Sequence, residues 1–388
     1  MRVRRCAMLM LEPRERLEFE LGLIADGGSG LRTVIEWVAH APHLAGETLV
    51  SAAESAALGA LSPSDWTPPD AIAARCDPNI LDSLIGKGLV VAEGTPADAR
   101  DRAFRDAHWR AASAVMHYAS RWQGVDTDAS ERRLAELADR TLIERLGAAP
   151  AAVRERVAAA DRRRLPKATP TPLDGLLDAR VTCRNYDATR NLSEAHFASV
   201  LYRAYGARAI DDFAPGIQLL KKGVPSAGGL HATEAYLLVQ RVEGVAPGLY
   251  HYHPTAHALE PVRQVDAAEA AALARRFVAS QRYFVDAHVL VIAVGRFRRN
   301  FWKYRNHAKA YRALILDVGH LSQALYLAAT ELGLAAFITA AINEADIEHA
   351  FGLDPLEEGA LAVSGFGHRA AERSEVEFDP LRAVWKGA

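Results

Sequence analysis

The run Val289-Leu-Val-Ile-Ala-Val-Gly constrains this chain more than any other segment. Successive side chains of a strand point to opposite faces, so six apolar residues in a row make both faces apolar. Such a strand needs cover on both sides, and the run predicts a buried central strand in a layered fold. The surrounding texture supplies the layers. Glu194–Ala204 has helical spacing with Ser193 as N-cap, and Glu234–Arg241 reads as a strand. Gly248-Leu-Tyr-His-Tyr-His-Pro and Ala258-Leu-Glu-Pro-Val suggest a hairpin. Tyr311–Leu332 reads as a long helix ended by Gly333, and Phe337–Ala341 and Gly359–Ser364 as further strands. Helices flanking a mixed sheet make an α+β domain.

Upstream stands Leu165-Pro-Lys-Ala-Thr-Pro-Thr-Pro-Leu, with three prolines in seven residues. Proline removes a backbone donor and restricts the residue before it, so no helix continues through this segment. It predicts a boundary between an N-terminal domain, 1–165, and a second domain, 172–388. In the first, the basic and then apolar opening reads as a strand, because its apolar run stops at Glu12 with no small-residue cleavage site after it. Ala52–Leu61 is Ala-rich. Asn79-Ile-Leu-Asp-Ser-Leu-Ile-Gly-Lys-Gly-Leu-Val-Val reads as helix, turn and strand, which is winged-helix-like. Phe104–Trp122 has amphipathic spacing, with Trp109, Met116, Tyr118 and Trp122 toward one side. Leu134–Leu146 and Ala151–Arg164 are Arg/Glu/Ala-rich and read as surface helices.

Composition excludes several classes. With 388 residues, 50% hydrophobic and 24% charged, the chain can build its core without disulfides or metal. The net charge of −2 gives no field for nucleic acid. Asp77, Asp82 and Glu93 beside the winged-helix-like segment would repel phosphate, which favours a packing or peptide-holding module over a DNA reader. No run approaches a membrane span. Cys6, Cys76 and Cys183 have no metal-ligand spacing, and so sparse a set points to free thiols in a reducing, cytoplasmic setting. His251 and His253 share a strand face, but no carboxylate stands beside them in sequence to complete a metal site.

Four groups carry chemistry. Arg180-Val-Thr-Cys-Arg places two guanidiniums and the Thr182 hydroxyl within five residues, where Arg180, Thr182 and Arg184 can converge on a phosphate. Pro225-Ser226-Ala227-Gly228-Gly229 is a small-residue loop whose backbone can approach a flat ligand. Lys303-Tyr304 is a pair of donors, and a Lys shifted down in a cleft can act as a base. Ser364-Gly-Phe-Gly-His-Arg ends a strand with Gly367 and Arg369. Each group alone also has a bland reading, as surface arginines, a turn or a basic helix start. No Rossmann GxGxxG, P-loop or GxSxG elbow is present.

The order and spacing of these groups, with Gly248-Leu-Tyr-His-Tyr, Tyr311-Arg312, Gly319-His320 and Gln323 between them, resembles the SagB-type dehydrogenase branch of the nitroreductase family. The resemblance covers roughly the last 220 residues, the size of one domain. It departs from the family pattern at Val181, Thr182 and Ala232, where a basic residue, Ser and Pro are usual. The resemblance implies a nitroreductase-like sheet binding FMN at a homodimer interface. The phosphate positions fall on Arg180, Thr182, Arg184, Gly367 and Arg369. The isoalloxazine-facing loop falls on Pro225, Ser226, Ala227, Gly228 and Gly229, with a second backbone contact from Thr339, Ala340 and Ala341. Lys303 and Tyr304 match the pair that abstracts a proton when such enzymes oxidise azolines to azoles in ribosomally made peptides. The implied partners are a peptide substrate and a cyclodehydratase. Two alternatives stand beside this: an NAD(P)H-dependent nitroreductase-like or dehydroamino-acid reductase, and a non-catalytic peptide- or DNA-binding scaffold.

Overall fold

A computed structural model describes the chain except for residues 26, 45, 74–75, 137–143, 145 and 387–388. The chain divides into two compact units that are not contiguous in sequence. Unit 1 comprises Met1–Arg121, Gly295–Leu316 and Gly352–Gly359; unit 2 comprises Trp122–Val294, Asp317–Phe351 and Ala360–Ala388.

The N-terminal part runs β1 (Val3–Arg5), β2 (Met10–Phe19), α1 (Leu21–Ala25), β3 (Leu31–His40), β4 (Glu47–Val50), α2 (Ala52–Ala60), α3 (Pro69–Ala73), α4 (Pro78–Gly86), β5 (Val90–Ala92), α5 (Pro96–Asp106) and α6 (Ala111–Ala119). The expected helix, turn and strand are present as α4 and β5, and β5 pairs antiparallel with β1. Strands β2, β3 and β4 form a separate antiparallel sheet. One face of its long hairpin carries Arg14 paired with Glu12 and Glu47, Arg16 with Glu36, and Arg32 with Glu18. Alternating Arg and Glu here line a strand face, whereas the residue types alone suggest a helix. The helices bury Leu58, Ile72 and Leu84 against Val90 and Val91. Buried Arg4 lies between Asp98 (3.0 Å) and Asp101 (3.1 Å), so no buried charge is left unpaired there.

The chain continues through α7 (Thr127–Glu136), α8 (Pro172–Ala179), α9 (Glu194–Ala204), β6 (Ala207–Ala214), β7 (Ile217–Lys222), β8 (Thr233–Val239), β9 (Gly248–His253), β10 (Ala258–Gln264), α10 (Ala267–Phe277), α11 (Arg282–Val285), β11 (Val289–Arg296), α12 (Phe297–Lys303), α13 (Ala310–Glu331), β12 (Ala335–Thr339), α14 (Glu344–Phe351) and β13 (Glu358–Gly367). Six strands form one sheet in the order β10-β9-β8-β11-β13-β12. The all-apolar run is β11, a central strand with Val289 to Val294 buried. The β8–β9–β10 pairings and the β12–β13 pairing are antiparallel. Ser193 caps α9 by accepting a hydrogen bond from the His196 amide, and Gly333 follows α13 with φ +69°. Helices α9 and α13 pack Phe197, Leu201, Leu325 and Ala329 onto Leu237, Val289 and Val291. This is the expected α+β architecture, a sheet flanked by helices.

Two local expectations fail. Phe104–Trp122 is not one helix: α5 and α6 are separated by His108, whose φ is +59°. Ala151–Arg164 is exposed and contains only a single 3-10 turn at Ala159–Asp161; with its residues in solvent it buries no apolar face to offset the entropy of a helix. The predicted helix Leu134–Leu146 lies mostly outside the described residues. All three cysteines are free. Among the described residues no helix is long and apolar enough to cross a membrane.

Two buried histidines make stability depend on pH. Burial pushes the His288 imidazole down to about 4, with Arg241 adding to the effect, and burial pushes His117 down to about 3. Both are neutral in the folded protein below the ordinary histidine value near 6.5, where the unfolded chain takes up protons. Stability therefore falls as pH drops from about 6.5 toward 4, by on the order of 1 kcal/mol per pH unit for each. Thermal unfolding midpoints measured from pH 7.5 to 4.5 should fall in that window. A flat profile would show that neither imidazole is held neutral.

Candidate active site

In unit 2 the glycine loop is built on one carboxylate. Asp317, on α13, is 5% exposed. It accepts a hydrogen bond from Ser226 Oγ at 2.5 Å and from the Ala227 amide at 3.1 Å. Ser226 Oγ in turn accepts from the His231 amide at 3.0 Å. Ala227–Gly229 is a single 3-10 turn in which Gly228 has φ 60° and ψ 18° and Gly229 has φ +69°. Two successive left-handed residues are what glycine tolerates and a side chain does not. A Cβ at Gly229 would meet nothing within 4 Å, so the backbone there faces open space. Pro225 leads in from β7 and is exposed.

The Arg180–Arg184 segment lies along the outer edge of β12. Thr182 bridges Ala336 in parallel, and the Cys183 amide donates to the Ala336 carbonyl at 2.9 Å. Tyr326 of α13 gathers two of the predicted residues: Thr182 Oγ1 lies 2.9 Å from its hydroxyl, and the Arg180 guanidinium lies 5.2 Å from its ring centre. Arg184 and Arg369 are engaged otherwise, by the C-terminal segment. Arg184 Nη1 donates to the Val376 carbonyl at 3.0 Å, and Arg369 forms an ion pair with Glu377. Glu377, 3% exposed, also accepts from the Arg184 amide (2.6 Å), Asn185 Nδ2 (2.8 Å) and Trp385 Nε1 (2.9 Å). Burial works against its charge, but these donors outweigh it and hold the carboxyl below its ordinary range.

The Thr339–Ala341 turn is braced by Gln281. Thr339 Oγ1 donates to Gln281 Oε1 (3.1 Å) and accepts from the Ala341 amide (3.2 Å), while Gln281 Nε2 donates to the Ala341 carbonyl (2.6 Å). Ala340 between them is exposed. Gly367 has a packing reason of its own: a Cβ there would sit 2.2 Å from His288 Nδ1. Lys303 and Tyr304 belong to unit 1, at the end of α12. Lys303 is exposed, and its Nζ lies 5.8 Å from the Tyr304 ring centre.

His251 corrects one expectation. Carboxylates do stand beside it, across the strands: Glu260 at 2.6 Å from Nδ1 and Glu234 at 3.2 Å from Nε2. Burial opposes a charged ring, but the two carboxylates outweigh it and raise the His251 pKa. The trio is a cross-strand ion cluster. Among the described residues no group of three or more ligating side chains is arranged for a metal ion.

Comparison with known proteins gives this geometry a family. Residues 177–368 match the nitroreductase family. They are a nitroreductase-family domain. The chain is 30% identical over 168 residues to the trifolitoxin-processing protein TfxB of Rhizobium leguminosarum bv. trifolii, covering 42% of this chain and 43% of that protein. It is 28% identical over 154 residues to the microcin B17-processing protein McbC of Escherichia coli, covering 38% of this chain and 54% of that protein. The matches thus span about half the length of these relatives. A solved structure of the E. coli microcin synthetase McbBCD complex with truncated pro-MccB17 bound aligns with TM-score 0.43 and 21% identity, over 64% of this chain and 88% of that one.

The residues that sequence reasoning missed are Asp317, Tyr326 and Gln281 within the nitroreductase domain, and Glu377 just after it. Asp317 is the one acidic residue in the Ala313–Leu321 stretch of an otherwise apolar-patterned helix, but its residue type does not announce what it holds, and only the structure shows that it is buried. Replacing Asp317 with Ala removes the acceptor of two hydrogen bonds and leaves Ser226 Oγ and the Ala227 amide to find water. The expected loss is about 1–3 kcal/mol. It should appear as a lower unfolding midpoint together with faster amide exchange in residues 225–231. Wild-type exchange rates in that loop would show that Asp317 does not hold it.

Proposed function

We propose that this chain is an FMN-dependent oxidoreductase of the SagB-type dehydrogenase kind, which oxidises an azoline to an azole in a ribosomally made peptide. The observation that carries the reading is the Asp317-braced glycine loop, with its open backbone at Gly229, inside a nitroreductase-family domain. The names of the two processing relatives favour peptide maturation over a free small molecule. A peptide substrate and a cyclodehydratase partner belong to this reading, as does a reducing, cytoplasmic setting for its free thiols.

The residues present fit FMN in part. Arg180 and Thr182, held on Tyr326, suit a phosphate; Pro225–Gly229 and the Thr339–Ala341 turn suit a flat ring system. FMN, when bound, supplies a two-electron acceptor for hydride from a ring carbon of the azoline. The proton on the neighbouring ring carbon goes to Lys303 or Tyr304, so loss of hydride and proton leaves the aromatic azole. Ser226 and Ala227 keep the loop rigid through Asp317, which fixes where a ligand can lie. A homodimer is part of the same proposal. It is supported by the exposed stripe Arg312, Ile315, Leu316, Gly319, His320 and Gln323 along α13, where Ile315 and Leu316 are 46% and 61% exposed.

The test is titration of the purified protein with FMN, followed by turnover of a thiazoline peptide. FMN should bind and Lys303→Ala should lower turnover by at least about a hundredfold without loss of FMN. Rapid flavin reduction by NAD(P)H without peptide, and no thiazole product, would move the assignment to a reductase. Absence of FMN binding would overturn it. The same titration reports on Glu377: Glu377→Gln removes a negative charge from the guanidinium of Arg369, and FMN should bind several-fold more tightly. Equal or weaker binding by the folded variant would show that Glu377 does not compete with phosphate.

A further inference from the structure

We infer that the N-terminal segment Ala107–His117 is the positioning device for the Lys303–Tyr304 loop, with Trp109 and the His117–Tyr311 pair as its positioning residues. The inference rests on the proton-abstracting role proposed for Lys303 and Tyr304. All of these residues lie in unit 1, which joins Met1–Arg121 to Gly295–Leu316.

The loop is held at three levels. At its base, Trp109 is 1% exposed, and its ring packs 4.7 Å from Phe297 and 4.6 Å from Phe301, centre to centre. Phe297 and Phe301 are the buried face of α12, the helix that ends in Lys303. Trp109 is itself fixed by its indole N–H, which donates to the Leu356 carbonyl at 3.0 Å. Behind it, His117 Nδ1 lies 3.0 Å from the Tyr311 hydroxyl in the first turn of α13. With the imidazole neutral, that nitrogen can accept the phenolic proton. Trp109 and Tyr311 therefore grip the two helices on either side of the loop. Buried Asn300 closes the loop between them by donating from Nδ2 to the Ala310 carbonyl at 2.8 Å.

At the rim the backbones meet directly. The Asn306 amide donates to the His108 carbonyl at 3.1 Å, and Arg110 Nη1 reaches the Asn306 carbonyl at 3.4 Å. His108 and Asn306 both have left-handed backbone, with φ +59° and +50°. Neither conformation is a side chain's first choice, and such residues persist where the surroundings over-determine them. The break between α5 and α6 is thus the point where the N-terminal segment turns to meet the loop. Orientation of a base matters steeply: a misplacement of about 1 Å can lower turnover by up to about a hundredfold. The N-terminal segment, on this account, sets where the base stands.

The test uses the full chain and a synthetic peptide carrying one thiazoline. Trp109→Phe loses the indole N–H and part of the packing. Tyr311→Phe keeps the ring and removes only the hydroxyl that His117 holds, so it stays folded if the first variant does not. Both should bind FMN with wild-type stoichiometry and keep KM, while kcat falls about tenfold and the pH–rate profile shifts on the limb that reports the base. Wild-type kcat and pH profile in the folded variants, with Lys303→Ala inactive, would overturn the inference and leave the proposed function standing. Full turnover by Lys303→Ala would overturn the base assignment and the inference together.

Discussion

The carboxylate of Asp317 is the contact on which the site geometry depends. It is buried, so it must be satisfied, and the donors that satisfy it come from the loop that the fold has to shape. A run of Ser, Ala and two glycines has little preference of its own and pays the largest backbone entropy on ordering. Two hydrogen bonds to a charged acceptor, stronger than neutral ones, select one conformation of that run. The His231 amide closes on Ser226 Oγ, which ties the loop to the start of β8 and so to the sheet. The same helix carries Tyr326, whose hydroxyl meets Thr182. One long helix thereby fixes both the glycine loop and the edge segment beside β12.

Much of this architecture was legible in the residues, and the reason is burial. The apolar run of β11, the Ser193 cap of α9 and the Gly333 stop of α13 are local signals that the tertiary structure reinforces. Where the tertiary structure overrides the local signal, reading fails. Nothing at His108 marks a helix break, since neither glycine nor proline stands there; the break comes where its carbonyl accepts a hydrogen bond from Asn306, far away in sequence. Ala151–Arg164 has good helix formers but is exposed throughout, so propensity alone does not make it a helix. The β2–β3 hairpin is hidden in the sequence for the converse reason. Its Glu, Arg and Leu residues are helix formers, and only the cross-strand ion pairs show why they run extended.

The candidate site divides the same way. Arg180, Thr182 and the glycine loop could be named because their residue types announce a use. Asp317, Gln281 and Tyr326 could not, since each acts by holding another residue. Gly367 shows the opposite hazard. A glycine near the end of a strand suggests close approach of a ligand, yet the atom that requires it is His288 Nδ1. Gly365 likewise leaves room for the Phe337 ring, 2.2 Å from where its Cβ would lie. Glycines that serve packing and glycines that serve a ligand are the same letter, and only the neighbours separate them.

Glu377 poses the sharpest physical question for the proposed cofactor. Its carboxylate collects a guanidinium, a backbone amide, a side-chain amide and an indole N–H, which is the donor set that a phosphate would seek. An anion site so filled is electrostatically satisfied, and a second anion beside it would meet repulsion in a region of low dielectric. A phosphate must therefore either rest on Arg180 and Thr182 alone or displace Glu377 from Arg369. Asn185 holds the preceding segment independently, through the Ser374 and Glu375 amides and the Glu375 carbonyl. Because those bonds do not involve Glu377 itself, the segment can stay in place while the carboxylate swings away. Exchange of one anion for another on Arg369 would thus be compatible with the fold, and an affinity for phosphate there would be set by the difference between the two.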